Sequence, residues 1–142
     1  MFSGKISAKL DAKGRVFFPA AFRKQLGAGE GQFVLRRDVH QPCLVLFPQQ
    51  AWEKEVEQLR ARLNRWDVRE AMLFRSYVGE VEQIALDSVG RLLLSKAWQQ
   101  QAHIDREVTF VGVYDRIEIW PALTSHFLDD DAYSQIVQDI LG

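Results

Sequence analysis

The chain has 142 residues, 47% of them apolar and 26% charged, a composition that excludes disordered and fibrous classes and leaves enough chain to bury a core. No apolar run approaches the ~20 residues of a bilayer-spanning helix. Met1-Phe2-Ser3-Gly4-Lys5 is not expected to open a secretory signal, and the single Cys43 can form no internal disulfide. Membrane protein, secreted factor and disulfide scaffold are set aside, and a reducing cytoplasm is the expected compartment.

The formal net charge of -1 conceals a gradient. Residues 1–48 carry eight Lys/Arg against three Asp/Glu, a net of +5, and residues 49–80 carry six of each. Residues 81–142 carry four bases against ten acids, a net of -6. Such patterning reports on association rather than fold, and a basic amino-terminal third fits a polyanion partner. The plainer alternative is a solvated surface balanced by acids from elsewhere in the molecule.

At the amino end, Ile6, Ala8 and Leu10 alternate with Lys5, Ser7 and Lys9, which predicts a strand with one apolar and one basic face. Asp11-Ala12-Lys13-Gly14 is turn chemistry, with Asp suited to the first position and Gly to a positive φ at the end. Residues 15–18 are expected to return as the second strand of a hairpin, with Val16 and Phe18 facing away from Arg15. Pro19 sits where a short helix can open and Gly27 where one can end. Gly27-Ala28-Gly29-Glu30-Gly31 reads as a turn, because it lacks the Lys-Ser/Thr ending of a phosphate-binding loop. A second hairpin is predicted from 33–35 and 43–47.

Residues 49–80 read as a helical connector. Trp52, Val56, Leu59, Leu63 and Trp66 step alternately by four and three, an apolar seam for packing on the rest of the domain or on a neighbouring subunit. Asp67 with Glu70 is a capping-box signature that opens a further helix through Tyr77. At the carboxyl end, the acidic run Asp129-Asp130-Asp131 is expected as a solvated helix entry. Residues 132–141 then place Tyr133, Ile136, Val137 and Ile140 on one helical face.

The same order occurs twice. Residues 10–25 align with 86–101 at a constant offset of 76, and six of the sixteen pairs are identical. Among them, Asp11, Gly14 and Arg15 meet Asp87, Gly90 and Arg91, while Phe18 and Phe22 meet Leu94 and Trp98. Ser95 stands in the place of Pro19 as an expected helix cap. Phe47-Pro48 answers Trp120-Pro121 at an offset of 73, so the hairpin of 108–113 with 117–120 is shorter by three residues. One domain is expected, divided into a first repeat (1–48), the connector (49–80), a second repeat (81–123) and a C-terminal helix and tail (124–142). Its halves should pack about a pseudo-two-fold axis.

A lone Asp-x-x-Gly-Arg reads as a tight turn, but its repetition between matching strands is specific to an architecture. With both motifs (Asp11 to Arg15, Asp87 to Arg91), the Phe18-Pro19 helix entry, His40-Gln41-Pro42-Cys43-Leu44, and Leu46-Phe47-Pro48 followed by Trp52 and Glu53, the chain resembles the MraZ family over essentially its whole length. These are bacterial transcriptional regulators of the division and cell-wall gene cluster. The resemblance implies an α+β, AbrB-like fold, in which swapped hairpins of two half-repeats interleave into a small pseudo-two-fold β-barrel with short flanking helices. It also implies a homo-oligomeric ring, cytoplasmic and nucleoid-associated, that binds double-stranded DNA at G-containing direct repeats in a promoter and is expected to repress. The family's DNA contact, the Arg of the motif, falls on Arg15 and more weakly on Arg91.

The residues support the first motif separately. A two-stranded ribbon fits the major groove, and arginine can grip guanine O6 and N7 with both arms. Lys5 and Lys9 share a strand face and Lys13 sits on the turn, whereas their counterparts are Val81, Ala85 and Val89. Arg23 and Lys24 likewise become Gln99 and Gln100. The expected site is therefore Arg15 on a base edge with Lys5, Lys9 and Lys13 on phosphates, while Arg91 is mainly structural, paired with an acid at the pseudo-dyad. Asp11, Gly14, Asp87 and Gly90 are expected to hold the turns.

Catalysis is not expected: His40, His103 and His126 are scattered, and no serine stands in a nucleophile elbow. His40 and Cys43 have the spacing of half a metal site without a second pair, so no metal or cofactor is expected. The alternative function is an oligomeric scaffold that binds protein rather than nucleic acid through Trp52, Trp66, Trp98 and Trp120. Each of these already has a packing position in the helix or repeat pattern.

Overall fold

The structure is a computed structural model and describes residues 1–27, 31–122 and 124–142. The alternating amino-terminal segment forms β1 (Phe2–Lys9), which gives Phe2, Ile6 and Ala8 to one core and turns Ser3, Lys5, Ser7 and Lys9 to the opposite face. The Asp11–Gly14 turn leads to β2 (Arg15–Phe17), and Pro19 precedes a one-turn helix, α1 (Ala20–Arg23). A hairpin of β3 (Gln32–Arg37) and β4 (Leu44–Pro48) follows, then the connector helices α2 (Gln49–Arg62) and α3 (Val68–Gly79). The second half repeats the order as β5 (Val81–Ala85), β6 (Arg91–Leu93), α4 (Lys96–Gln101), β7 (Glu107–Tyr114) and β8 (Arg116–Pro121), and α5 (Asp130–Leu141) closes the chain. Ser95 caps α4 as expected, its hydroxyl accepting the Trp98 N–H at 3.4 Å. Ala28, Gly29 and Glu30, within the glycine cluster read as a turn, lie outside the described residues.

Six strands form one antiparallel sheet in the order β1-β7-β8-β4-β3-β5, and β2 pairs with β6 in a separate two-stranded sheet. Strand partners come largely from opposite repeats: β1 runs against β7, β5 against β3, and β2 against β6. The β2–β6 register centres on Val16 opposite Leu92, and the β4–β8 register on Val45 opposite Glu118. Those pairs stand at the repeat offsets of 76 and 73, so an approximate two-fold passes through both ladders.

The expected barrel is not formed. β1 and β5 are open edges of the six-stranded sheet, because β2 and β6 leave it and pair with each other. Nor do β1 and β2 make the expected hairpin. The hydrogen bonds of β1 continue on the β7 side up to Leu10, whose N–H donates to the Arg106 carbonyl at 2.7 Å. The Asp11–Gly14 turn therefore carries the chain out of one sheet and into the other.

The two-stranded sheet, α1 and α4 cover one face of the large sheet. Val16, Leu92, Phe18, Phe22 and Leu94 sit there against Phe33, Leu44 and Phe110. Phe18 is central, with ring centroids 6.2 Å from Phe22, 5.2 Å from Phe33 and 6.5 Å from Phe110. Removing an aromatic ring such as Phe22 from water contributes about 1.5–3 kcal/mol. The other face carries a second core, where Val34, Val45, Phe47 and Trp120 meet Trp52 of α2 and Tyr77 of α3. Trp52 and Tyr77 stack at 5.5 Å. Arg116 ties β8 to α2 by donating to Glu55 at 2.8 Å and to Asp115 at 2.9 Å.

The predicted apolar seam runs only as far as Leu59. Trp52 is buried and Val56 and Leu59 pack on the second core, but α2 ends at Arg62 and Trp66 is 81% exposed. Asn64 breaks the helical run by accepting the Trp66 N–H at 3.0 Å. Asp67 then caps α3 through the Glu70 N–H at 3.0 Å, while the Glu70 carboxylate reaches past Asp67 to the Asn64 N–H at 2.9 Å. Helix α5 has the expected apolar face but buries none of it. No described helix is long and apolar enough to cross a membrane.

Candidate nucleic-acid interface

Each Asp-x-x-Gly-Arg motif is a closed hydrogen-bonded loop. Asp11 Oδ1 accepts the N–H groups of Lys13 at 3.0 Å and Arg15 at 2.9 Å, and its Oδ2 accepts Arg15 Nε at 2.7 Å. The second copy repeats this: Asp87 Oδ1 takes Val89 N–H at 3.1 Å and Arg91 N–H at 2.8 Å, and Oδ2 takes Arg91 Nε at 2.8 Å. Aspartate is needed because its short carboxylate reaches its own turn's amides while its second oxygen faces the guanidinium. The backbone N–H of Arg15 foremost, then the Arg15 guanidinium and the Lys13 N–H, hold the Asp11 carboxyl below the ordinary range against an opposing desolvation. Asp87 is lowered in the same way by Arg91 and Val89.

The glycines close the turns. Gly14 has φ +85° and donates to the Asp11 carbonyl at 3.0 Å, and Gly90 has φ +89° and donates to Asp87 at 3.0 Å. A Cβ on Gly14 would stand 2.5 Å from the Leu94 carbonyl oxygen, and one on Gly90 would collide with the Arg23 guanidinium.

Alternation along β2 and β6 buries Val16 and Leu92 and turns Arg15, Phe17, Arg91 and Leu93 outward. The register sets Arg15 opposite Leu93 and Arg91 opposite Phe17. The structure thus brings the two motif arginines onto one outward ribbon face, with side chains 34% and 26% exposed. Arg91 also lies 4.0 Å from Asp11 Oδ2, across the two-fold, in addition to its bond to Asp87. Lys13 rides exposed on the first turn.

Lys5 and Lys9 are not part of this face. They lie on the side of β1 turned away from the ribbon, where the Lys5 ammonium sits 4.1 Å from the Phe127 ring centre and Lys9 pairs with Glu107 at 3.6 Å. Two further ribbon side chains and one from α1 join the site and are not among the residues expected there. Phe17 and Leu93, 61% and 55% exposed, share the parity of Arg15 and Arg91, which was the available signal. Arg23 packs its guanidinium against Gly90, beside the second turn, and only the fold reveals that approach.

The family described as "MraZ protein, putative antitoxin-like" matches residues 1–76 and 78–136. A protein of Bacteroides fragilis named Transcriptional regulator MraZ is 43% identical over 143 residues, covering 99% of this chain and 90% of that protein. A Phocaeicola vulgatus protein of the same name is also 43% identical, covering 99% of this chain and 94% of its own length. One from Erwinia tasmaniensis is 36% identical, with coverages of 99% and 88%. These relatives are named as transcriptional regulators and not as enzymes. With both Asp-x-x-Gly-Arg loops in place and matches of this extent, the chain belongs to the MraZ family.

Proposed function

We propose that this chain is a sequence-specific, DNA-binding transcriptional regulator that represses from short direct repeats in the promoter of the division and cell-wall gene cluster. The observation that carries the reading is the state of Arg15. Its Nε is locked on Asp11, while among the described residues neither Nη has a hydrogen-bond partner. Two free arms on a half-exposed, pre-oriented guanidinium are what bidentate contact with guanine O6 and N7 requires. The Nη1 of Arg91 already faces Asp11 at 4.0 Å, and its turn carries Val89 where the first has Lys13. Arg15 is accordingly the principal base contact and Arg91 the weaker one, with Asp11, Gly14, Asp87 and Gly90 as turn-forming residues.

The inserted element is the β2–β6 ribbon, with Lys13 on an adjacent phosphate. Lys5 and Lys9 take outlying phosphates where DNA passes the β1 edge, for which Lys9 must loosen its exposed pair with Glu107. The exchange of strand partners between the halves supports an AbrB-like swapped arrangement in open form. One small ribbon supplies few contacts. Several copies in a homo-oligomeric ring, engaging spaced repeats together, raise affinity through effective concentration. Such a protein works in the cytoplasm, on the nucleoid.

Footprinting of the purified protein on the DNA upstream of its own gene tests this reading. The expected result is a series of short protections at regular spacing that fade steeply as salt rises. Absence of protection at low salt, or coverage without sequence preference, overturns it. A protein-binding scaffold would leave promoter fragments unbound at every salt concentration.

A further inference from the structure

The β3–β4 loop doubles back tightly. The Asp38 N–H donates to the Cys43 carbonyl at 3.0 Å, and the Cys43 N–H donates to Gln41 at 2.8 Å, which sets the two side chains beside one another. Glu118 of β8 lies opposite Val45, at the centre of the β4–β8 register. One donor atom from each of Asp38, Cys43 and Glu118 therefore falls within 4.8 Å of the other two. We propose that these three side chains form a binding site for a thiophilic divalent cation of the zinc class.

Three observations carry the assignment. Cys43 is 1% exposed, and its thiol, aimed into the cluster, has no hydrogen-bond partner among the described residues. The two carboxylates stand close together with no ion pair to either among the described residues, an arrangement that repels itself in the absence of a cation. Each carboxylate is also already oriented by hydrogen bonds. Asp38 Oδ2 accepts the His40 and Gln41 N–H groups, both at 2.9 Å, and Glu118 Oε1 accepts Trp120 Nε1 at 2.9 Å. This is the outer-shell support that metal-binding carboxylates need.

The donor set selects the ion. Magnesium and calcium take oxygen ligands, whereas a sulfur with two carboxylate oxygens suits zinc. Zinc–sulfur and zinc–oxygen bonds of about 2.3 and 2.0–2.2 Å place tetrahedral neighbours roughly 3.5 Å apart, so the cluster closes by about 1 Å on binding. Asp38 and Glu118 are only half-buried, which gives solvent access for the ion and for a water as fourth ligand. The Cys43 S–H bond breaks as the sulfur–metal bond forms, and the proton passes to solvent. His40, whose spacing from Cys43 suggested half a site, contributes its backbone N–H to Asp38.

The full-length chain, dialysed against chelator, is titrated with Co²⁺ and then with Zn²⁺. The expected result is a near-ultraviolet thiolate-to-cobalt charge-transfer band, saturating at a single metal per chain and displaced by zinc. Cys43→Ser, with folding verified by circular dichroism, should abolish the band, and Glu118→Gln should weaken cobalt binding by at least about 10-fold. No charge-transfer band at saturating cobalt overturns the proposal. So does a band that survives Cys43→Ser or is unchanged in Glu118→Gln. Neither outcome bears on DNA binding, which is read separately by footprinting.

Discussion

The carbonyl of Gly14 accepts the N–H of Leu94 at 2.9 Å, and the carbonyl of Gly90 accepts the N–H of Phe18 at 3.0 Å. Each Asp-x-x-Gly-Arg turn is thus pinned by the strand end of the other repeat. The aspartate fixes the arginine within a motif, and this reciprocal pair of bonds fixes one motif against the other. The two guanidinium groups consequently share a single rigid face and not two independent fingers.

Arg15→Ala is expected to cost about 1–3 kcal/mol of base discrimination in promoter binding, whereas Arg91→Ala should cost clearly less. Arg15→Lys should not rescue specificity, because an ammonium cannot make the forked contact. Gel shifts against the cognate repeat and a scrambled sequence read both effects. Equal losses in the two alanine variants, with both folded, would show that the free Nη groups of Arg15 do not set its role.

Lys13→Ala should lower affinity about equally for cognate and scrambled DNA and reduce the slope of log K against log salt by about 1. Lys9→Ala should change the slope less, since Lys9 must first give up Glu107. Binding titrations over a series of salt concentrations make the comparison.

Gly14→Ala is expected to destabilise the fold by more than the ~1–3 kcal/mol of an L-residue held at positive φ. The added methyl also meets the Leu94 carbonyl oxygen at 2.5 Å. Gly4→Ala is the control. Gly4 has φ +101° but nothing within 4 Å of its Cβ position, so only the backbone strain should appear. Urea denaturation midpoints at constant m-value report the difference.

Asp11 and Asp87 both have carboxyls held below the ordinary value of 3.8. For a group lowered on folding, the stabilisation is fully present above the unfolded-state value and disappears as pH falls through the folded one. Stability should therefore decline below about pH 4, and the decline should be shallower in the Asp11→Asn, Asp87→Asn double variant. Carboxyl NMR titration should place both aspartates below 3.8, and unshifted titrations would refute the loop geometry.

Glu55→Ala should cost about 1–3 kcal/mol, because it leaves the Tyr77 hydroxyl without its partner and reduces Arg116 to its bonds with Asp115. Glu55 accepts from Arg116 at 2.8 Å and from the Tyr77 hydroxyl at 3.2 Å. Burial foremost, then the Glu55 charge, push Tyr77 up to about 12. Spectrophotometric titration of the variant should bring that phenol down.

What was legible in the sequence was local. The turn at Asp11, the caps at Ser95 and Asp67, the β3–β4 and β7–β8 hairpins and the outward parity of Arg15 each depend on neighbours a few residues away. The repeat also exposed the two-fold. Sheet membership was not legible, because whether β1 pairs with β2 or with β7 depends on which long-range ladder forms, and alternation is the same in both cases. The same gap placed Lys5 and Lys9 with Arg15. Their shared basic face was correct, but the ribbon packs on the other side of β1. Cys43 drew notice beside His40, while its actual neighbour Glu118 comes from a strand of the other repeat.

The pairing of β1 with β7 also has a consequence for biosynthesis. Phe2–Lys9 is synthesised well before Glu107–Tyr114, its ladder partner among the described residues. At ~5–20 residues per second, roughly 5–20 s of translation separate the two. Throughout that interval β1 has no native edge to occupy, so its ladder can form only once the second repeat has been made. A stalled or prematurely terminated product lacks native partners for β1 and is left to chaperones and proteases.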